Sequence, residues 1–188
     1  MEKEYHSRNR HFIKVVLFGP ESAGKSTLAQ QLAAHYKTVF VPEYSRIYAE
    51  MQLLCNQPLT KDAVLDIAHG QLKLETELAT KANKILFCDT DLFETKVYSE
   101  MYYDGYSPSL LNDFAHQKTC DLYLLTSVDL PWAADNIRDK PEAREQQFNI
   151  FEAALIKYNK PYEVIKGNRE ERLQNAIQIV DQLLNKTK

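Results

Sequence analysis

The chain has 188 residues, a formal net charge of −3, and 44% hydrophobic and 26% charged residues. This length and composition predict one globular domain that is large enough to bury a core. The slight acidic excess argues against a general nucleic-acid binder, because such a protein needs a basic face. No apolar run is long enough to span a membrane, and residues 1–10 lack the apolar core of a signal peptide.

The three cysteines, Cys55, Cys88 and Cys120, are scattered and show no metal-ligand spacing. Together with the lack of a targeting signal, this indicates a protein of the reducing cytoplasm. We expect residues 1–11 to form a flexible polar terminus and residues 12–188 to form the single domain. The sequence gives no indication of the oligomeric state.

The first predicted strand, residues 12–18, runs directly into a G-x-x-x-x-G-K-[ST] motif that opens a helical pattern. The two glycines allow the backbone N–H groups of the loop to converge on a phosphate, and the helix N-terminus adds positive potential. The lysine is expected to reach the β- and γ-phosphates of ATP, and the following serine to enter a Mg²⁺ shell. The positions expected to contact the nucleotide are Gly19, Glu21, Ser22, Ala23, Gly24, Lys25, Ser26 and Thr27.

Short apolar runs alternate with helical patterns along the rest of the chain. Further strands are predicted at residues 38–41, 85–88, 122–125 and 162–165. This alternation predicts an α/β protein with a three-layer P-loop NTPase fold, in which helices cover both faces of a five-stranded parallel sheet. Ligands of such sheets bind at the carboxyl ends of the strands.

The second strand is followed by Glu43, Tyr44 and Arg46. A carboxylate at this strand end can orient an acceptor hydroxyl and accept its proton, and Arg46, one helical turn later, can contact the acceptor or a phosphate. We therefore expect these three residues to contact the substrate, with Glu43 also catalytic. The alternative is that Glu43 and Arg46 form only a surface i,i+3 pair.

The long helical pattern that follows places Gln71 where it could line the acceptor site. The third strand then ends in Asp89, Thr90 and Asp91. An acidic residue at this strand end is typical of a Mg²⁺ site, so Asp89 is expected to support the metal. Asp91 is expected to contact the substrate, although Asp91 or Thr90 could instead cap the next helix.

That next segment is rich in tyrosine, at positions 98, 102, 103 and 106. Tyrosine rings can form a pocket for a flat ring, and a cationic ring would gain from their π faces. We expect one or two of them, Tyr98 first, to reach the substrate. Packing of a helix on the core by its tyrosines explains part of the pattern equally well.

The polar, proline-broken stretch after the fourth strand contains Arg138 and Arg144. Guanidinium groups match the charge that spreads over a transferring phosphoryl group, and a closed lid would exclude water. We expect both arginines to be catalytic residues of such a lid, although a solvated charged loop is the alternative. After the fifth strand, Gly167 is expected near the adenine, or else in a routine turn in which Asn168 caps the last helix.

The motif alone does not separate kinases, GTPase switches and motor ATPases. No N-K-x-D guanine motif occurs, and the chain is short for a motor ATPase. The motif, the acidic end of the second strand and the arginine-bearing segment favour a small-molecule kinase.

The chain resembles the ribosylnicotinamide kinase domain of NadR-type NAD-biosynthesis proteins. The residues that carry this resemblance are Gly19–Thr27, Pro42–Arg46, the Asp89-Thr90-Asp91 strand end, residues 131–135, Arg138 and Arg144. The resemblance runs from about Phe12 to the C-terminal helix. It implies MgATP-dependent phosphorylation of the ribose 5′-hydroxyl of nicotinamide riboside. It also implies that Lys25 and Ser26 hold phosphates and Mg²⁺, and that Glu43 is the candidate base.

Adenylyl transfer and repression are not expected of this chain, because it lacks the paired histidines and the helix-turn-helix of those functions. The expected partner is therefore a small nucleoside substrate, with no nucleic acid and no membrane. Phosphorylation of another nucleoside or a small alcohol, and a regulatory ATPase that is not a kinase, remain the alternatives.

Overall fold

The computed structural model describes residues 11–131 and 143–186, so the predicted flexible terminus lies almost wholly outside the described residues. In chain order the described elements are β1 (Ile13–Phe18), α1 (Lys25–His35), β2 (Phe40–Val41), α2 (Tyr44–Leu54), α3 (Ala63–Ala79), β3 (Ile85–Asp89), α4 (Leu92–Tyr102), α5 (Ser109–His116), β4 (Leu122–Thr126), α6 (Arg144–Lys157), β5 (Tyr162–Ile165) and α7 (Arg169–Lys186).

The five described strands form one parallel sheet in the order β2-β3-β1-β4-β5. The predicted α/β class and five-stranded parallel sheet are therefore confirmed. The strand order reverses around β1, which pairs with β3 on one side and β4 on the other. This reversal opens a crevice at the carboxyl ends of β1 and β3, where open α/β sheets bind their ligands.

Strand β2 is shorter than predicted, because Thr38 is engaged outside the strand ladder. The N–H of Thr38 donates to the carbonyl of Ala33 at the end of α1, and its hydroxyl donates to the carbonyl of Ile85. The regular pairing with β3 therefore begins only at Phe40.

Side chains of β1 alternate between the two faces of the sheet, as expected for a strand buried on both sides. Ile13, Val15 and Leu17 pack with apolar residues of α1 and α7. Val16 and Phe18 point to the other face, where they pack with residues of α3, α4, α5 and α6. The two helical layers fix the positions of the loops at the strand ends.

Lys14 is a charged residue within this buried strand. Its ammonium is 2.6 Å from Glu75 of α3 and lies over the ring of Phe114 at 5.7 Å. The ion pair satisfies the buried charge, so Lys14 belongs to the core. Within the described ranges, no helix combines the length and the apolar character that crossing a bilayer requires.

Candidate active site

The phosphate-binding loop joins β1 to α1. Gly19 and Gly24 have φ values of 136° and 83°, in the region that favours glycine. A Cβ at Gly19 would lie 2.9 Å from the hydroxyl oxygen and 3.0 Å from the carbonyl oxygen of Thr126, so β4 leaves no room for a side chain. Gly24 precedes α1 and has no side chain that could cap the first turn. The N–H groups of that turn are therefore available to an anion.

Lys25 is held inside the loop by groups that phosphate oxygens could replace. Its ammonium donates to the carbonyls of Gly19 at 2.7 Å and Pro20 at 3.0 Å. It also lies 3.1 Å from Oε1 of Glu94 in α4. Burial lowers the pKa of Lys25, but the negative charge of Glu94 and two further carboxylates raises that pKa overall. Lys25 is therefore charged at neutral pH.

Asp89 ends β3 behind this lysine and is only 2% exposed. Burial raises the pKa of its carboxyl to about 6, and the charge of Glu43 adds to the rise. The charge of Lys25 and a hydrogen bond with Ser26 oppose it. Oδ1 of Asp89 has no hydrogen-bond partner among the described residues. The site therefore contains a buried carboxylate oxygen that could bind a cation.

This arrangement fits a divalent cation. Mg²⁺ is usually held by one or two protein oxygens together with substrate phosphates and water, and Ser26 and Asp89 supply two such oxygens. No group of three or more histidine, cysteine or acidic side chains in the described part of the chain is arranged to hold a metal. Ser26 and Asp89 could therefore hold Mg²⁺ together with phosphates, but not as a complete protein cage.

Glu43 lies at the N-terminus of α2, as the N-cap residue after β2. One carboxylate oxygen accepts a hydrogen bond from the hydroxyl of Ser45 at 2.5 Å. Arg46, one turn into α2, lies 3.4 Å from the carboxylate of Glu50 through its Nε. Glu43 and Arg46 both face the same large cavity as the phosphate loop.

Gln71 and Tyr44 support this strand end instead of facing the cavity. The buried Gln71 side chain accepts the Tyr44 N–H at 2.7 Å, and its amide nitrogen lies 3.4 Å from the carbonyl of Pro42. The ring of Tyr44 packs on Gly70 of α3. The structure therefore places Gln71 and Tyr44 as residues that position Glu43, which differs from the expected substrate contacts.

The cavity has a volume of about 1010 Å³, enough for two ligands of nucleotide size side by side. The phosphate loop and α1 form one wall, through residues 21–28, and α2 and α3 form a second wall. The third wall is α4, with Glu94, Tyr98 and Tyr102 on one helical stripe. The site residues predicted from sequence that line it are Glu21, Ser22, Ala23, Gly24, Lys25, Ser26, Thr27, Glu43, Arg46 and Tyr98.

The tyrosine-rich segment divides between the cavity and the core. Tyr98, Tyr102 and Tyr103 line the cavity, whereas Tyr106 is not among its lining residues. The rings of Tyr98 and Tyr102 are nearly parallel, with centroids 6.0 Å apart, and the edge contact of Tyr98 with Phe151 anchors it to the core. Three of the four tyrosines therefore line the cavity, and their contact with the substrate stays a prediction.

Asp91 is the cap of α4. One oxygen accepts the N–H groups of Phe93 and Glu94, and the other accepts the hydroxyl of Tyr123. Because Asp91 is fully buried and both oxygens are engaged, the expected substrate contact is replaced by the cap. Thr90, beside it, lines the cavity with a φ of 75°, which is a strained conformation for a β-branched residue.

Gly167 lies outside the main cavity. Its N–H donates to Asp129 at 2.6 Å, and its carbonyl accepts the Nε of Arg172. These bonds engage the backbone N–H and carbonyl of Gly167, the residue that was expected near the adenine. Asn168 accepts the N–H groups of Glu170 and Glu171 through its side chain, as in the alternative of a capped turn.

Arg172 is a site residue that the sequence analysis missed. It is 2% exposed and donates to the carbonyls of Ala23 at 2.7 Å and Ser127 at 2.8 Å, while also pairing with Asp129. It therefore ties the phosphate loop to the ends of β4 and β5. The signal in the sequence was its spacing, because Arg172, Ala176 and Val180 form the buried stripe of α7.

Glu94 was also missed, although it stands one helical turn before Tyr98 on the same face of α4. It is 1% exposed, and neither oxygen has a hydrogen-bond partner within the described ranges. Burial raises the pKa of Glu94 well above its usual range, while the charge of Lys25 lowers it. Its spacing from Tyr98 and Tyr102 was the available signal.

Arg144 begins α6 directly beside the phosphate loop. Its guanidinium donates to the carbonyls of Leu130 at 2.9 Å and Ser22 at 3.3 Å. Arg138 and most of the predicted lid lie outside the described residues. Of the two arginines expected in the lid, the structure therefore describes only Arg144.

Comparison with known proteins places the chain in a family. The family model AAA_28, described as an AAA domain, matches residues 14–172. The chain belongs to this family. The chain is also 26% identical over 177 residues to the trifunctional NAD biosynthesis/regulator protein NadR of Escherichia coli K12, covering 90% of this chain and 42% of that protein. NadR of Salmonella typhimurium LT2 is 28% identical over 158 residues, covering 84% and 36%. The chain thus spans less than half the length of these relatives.

Solved structures show the same fold. A NadR protein in complex with NR superimposes with a TM-score of 0.76 at 22% identity, over 92% of this chain and 51% of that one. Thymidylate kinase from Ehrlichia chaffeensis superimposes with a TM-score of 0.61 at 18% identity, over 89% and 98%. The predicted P-loop kinase fold and the resemblance to NadR-type proteins are confirmed.

Proposed function

We propose that the chain is a MgATP-dependent kinase that phosphorylates the 5′-hydroxyl of nicotinamide riboside to give nicotinamide mononucleotide. One observation is central to this proposal: a single cavity brings the phosphate loop together with Glu43 at the neighbouring strand end. A triphosphate on the loop and a hydroxyl beside Glu43 would then be held in one site, and positioning of this kind supplies much of the rate in phosphoryl transfer.

On the donor side, the N–H groups at the start of α1 would bind phosphate oxygens. Lys25 would exchange the carbonyls of Gly19 and Pro20 for phosphate oxygens, because phosphate is the stronger, charged acceptor. Ser26 and Asp89 would hold Mg²⁺, which neutralises charge on the phosphates when bound. Arg144, beside Ser22, would add a guanidinium to the phosphate side, and Arg138 remains a proposed second lid residue.

On the acceptor side, Glu43 would accept a hydrogen bond from the reacting hydroxyl and take its proton as the oxygen bonds to the γ-phosphorus. The bond to the β-phosphate oxygen then breaks and ADP leaves. Gln71 holds the backbone on both sides of Glu43, so this carboxylate starts from a fixed position. Arg46 at the rim would contact the acceptor or a phosphate.

The choice of nicotinamide riboside is supported by the NadR relatives and by the aromatic wall of α4. A nicotinamide riboside molecule carries a cationic ring, and the stacked pair of Tyr98 and Tyr102 lines the cavity with aromatic surface that would attract a cation. We further propose that the protein acts in a reducing cytoplasm, where its three free cysteines remain thiols.

A panel experiment tests the proposal directly. The protein is incubated with ATP and Mg²⁺ and, separately, nicotinamide riboside, adenosine, cytidine, thymidine, deoxyadenosine and glycerol, and both ADP and phosphorylated product are quantified. We expect ADP release to depend on nicotinamide riboside, with one nicotinamide mononucleotide formed for each ADP. Product from another acceptor would retain the kinase class and change the substrate. ADP release without any acceptor would instead indicate a regulatory ATPase and contradict the kinase proposal.

A further inference from the structure

Glu94 is a buried carboxylate that neither the metal site nor the transfer step uses. It lies in the first turn of α4, is 1% exposed and lines the cavity. Apart from the contact with the Lys25 ammonium, neither of its oxygens has a hydrogen-bond partner in the described parts of the chain. Its one ion pair is with the Lys25 ammonium, at 3.1 Å. Burial of a carboxylate with one ion pair and no other donor is costly, so this position suits a residue that binds a ligand.

The partner of Glu94 is the residue that a triphosphate would draw away. Lys25 shares its charge between Glu94 and the carbonyls of Gly19 and Pro20, whereas a triphosphate offers it several charged oxygens at once. Once Lys25 turns to the phosphates, Glu94 keeps its place in the cavity wall with both oxygens unbonded. Hydroxyl groups are the donors that such a carboxylate would then bind.

The helix around Glu94 indicates where those hydroxyls would come from. Tyr98 and Tyr102 follow at i+4 and i+8 and line the same cavity. Because residues at this spacing share one face of a helix, the wall presents acceptor oxygens first and aromatic rings about 6 and 12 Å further along. A nucleoside has the same order of groups, with hydroxyls at one end and a flat base at the other.

We infer that Glu94 binds the hydroxyl groups of the acceptor, and that its ion pair with Lys25 blocks this position until a nucleoside triphosphate draws the lysine away. The inference rests on the proposed function and adds an order to it: the nucleotide binds first and prepares the acceptor site. Glu94 is thus an acceptor-binding residue distinct from Glu43, which takes the proton.

Binding measurements on the whole protein test this coupling. The affinity for nicotinamide riboside is measured by calorimetry with and without AMP-PNP and Mg²⁺. We expect AMP-PNP to tighten nicotinamide riboside binding about tenfold, within the usual range of coupling between sites. By linkage, nicotinamide riboside should tighten AMP-PNP binding by the same factor. Equal affinity with and without AMP-PNP would overturn the inference.

The variant Glu94→Gln removes the charge and keeps the shape of the side chain. We expect its coupling to fall below about twofold and its KM for the acceptor to rise about tenfold with a smaller change in kcat. Its affinity for AMP-PNP should rise several-fold, because Lys25 no longer has to leave an ion pair. Glu100→Gln is the matched control, since Glu100 lies on the same helix, pairs with Lys96 and does not line the cavity.

Two readouts separate failure of this inference from failure of the proposed function. The rise in AMP-PNP affinity needs no acceptor, so it tests the role of the ion pair even if the panel shows no kinase activity. AMP-PNP binding also shows that Glu94→Gln is folded. If the wild type phosphorylates nicotinamide riboside and Glu94→Gln keeps the wild-type KM and coupling, the inference is wrong while the kinase function stands.

Discussion

Asp89 offers a test in which stability and function move in opposite directions. Replacement of Asp89 by asparagine removes a buried carboxylate that the ligand-free protein satisfies poorly, since Oδ1 has no hydrogen-bond partner in the described residues. We expect the Asp89→Asn protein to be more stable than the wild type at neutral pH when metal and nucleotide are absent. We also expect it to lose most turnover, because the proposed Mg²⁺ site loses its charged ligand.

The magnitude follows from the pKa of Asp89, which rises from 3.8 to about 6 in the folded protein. A raised pKa means that the folded state favours the protonated carboxyl. The stability of the folded protein with respect to Asp89 is therefore greatest below pH 3.8 and falls as the pH rises to about 6. This difference in pKa corresponds to roughly 3 kcal/mol. At pH 7.5 the Asp89→Asn variant should therefore gain up to about 3 kcal/mol, or roughly 6–12 °C in Tm for a domain of this size.

Thermal unfolding followed by circular dichroism, in buffer with EDTA and without nucleotide, measures this difference at pH 7.5 and pH 4. At pH 4 the gain should shrink to about 0.5 kcal/mol, because the folded carboxyl is then almost fully protonated and the unfolded one, near its own pKa of 3.8, is only partly ionised. Asp113→Asn, at an exposed position on α5, is the control and should change stability by less than about 0.5 kcal/mol at either pH. A variant that is less stable than the wild type at pH 7.5, or equally stabilised at both pH values, would refute the reasoning.

Glu43→Gln should lower kcat about 100-fold or more, because the proposed base is lost. Its AMP-PNP affinity should stay unchanged, because the phosphate loop is intact. Steady-state kinetics measures kcat, and calorimetry measures the affinity. Gly70→Ala places a Cβ 2.0 Å from Cε1 of Tyr44, so it should lower the free energy of unfolding, measured with urea, by about 1–3 kcal/mol. It should also reduce kcat/KM for the acceptor by a larger factor than it reduces the affinity for AMP-PNP. Arg172→Met should cost about 1–3 kcal/mol and weaken AMP-PNP binding, because the carbonyls of Ala23 and Ser127 and the exposed carboxylate of Asp129 lose their donor.

Each of these predictions has an outcome that contradicts it. A normal kcat in Glu43→Gln would remove this residue from the acceptor side. In a Tyr44→Ala background, Gly70→Ala should cost much less stability than it does in the wild type. An equal cost of Gly70→Ala in the two backgrounds would show that the Tyr44 ring is not the obstacle. For Arg172, a lysine that stabilised the protein as well as arginine would contradict the role of the planar fork of donors.

The sequence predicts the fold well, because the signals that determine it are local. The predicted strands are mostly apolar runs of four to seven positions between turns. The residues of the phosphate loop are adjacent in the chain, so the motif itself fixes their geometry. The error at β2 has a non-local cause, since the hydroxyl of Thr38 bonds to Ile85 of another strand.

The acceptor side was less predictable, because there the role of a residue depends on what other elements place around it. Gln71 and Tyr44 were expected at the substrate, yet α3 packs close enough to α2 that both side chains support the backbone next to Glu43. Asp91 directs its second oxygen to Tyr123, a residue of β4 that is 32 positions later in the chain. Neither contact leaves a pattern in the local sequence.

The sequence by itself therefore determined the parallel sheet, the phosphate loop and the strand ends at which ligands would meet. Only the tertiary structure decided which polar residues face the cavity and which support its walls. The physical reason is that burial and pairing of a charge depend on several elements at once: Glu94 becomes a cavity residue through Lys25 of α1, and Arg172 becomes a buried clamp through the phosphate loop and β4.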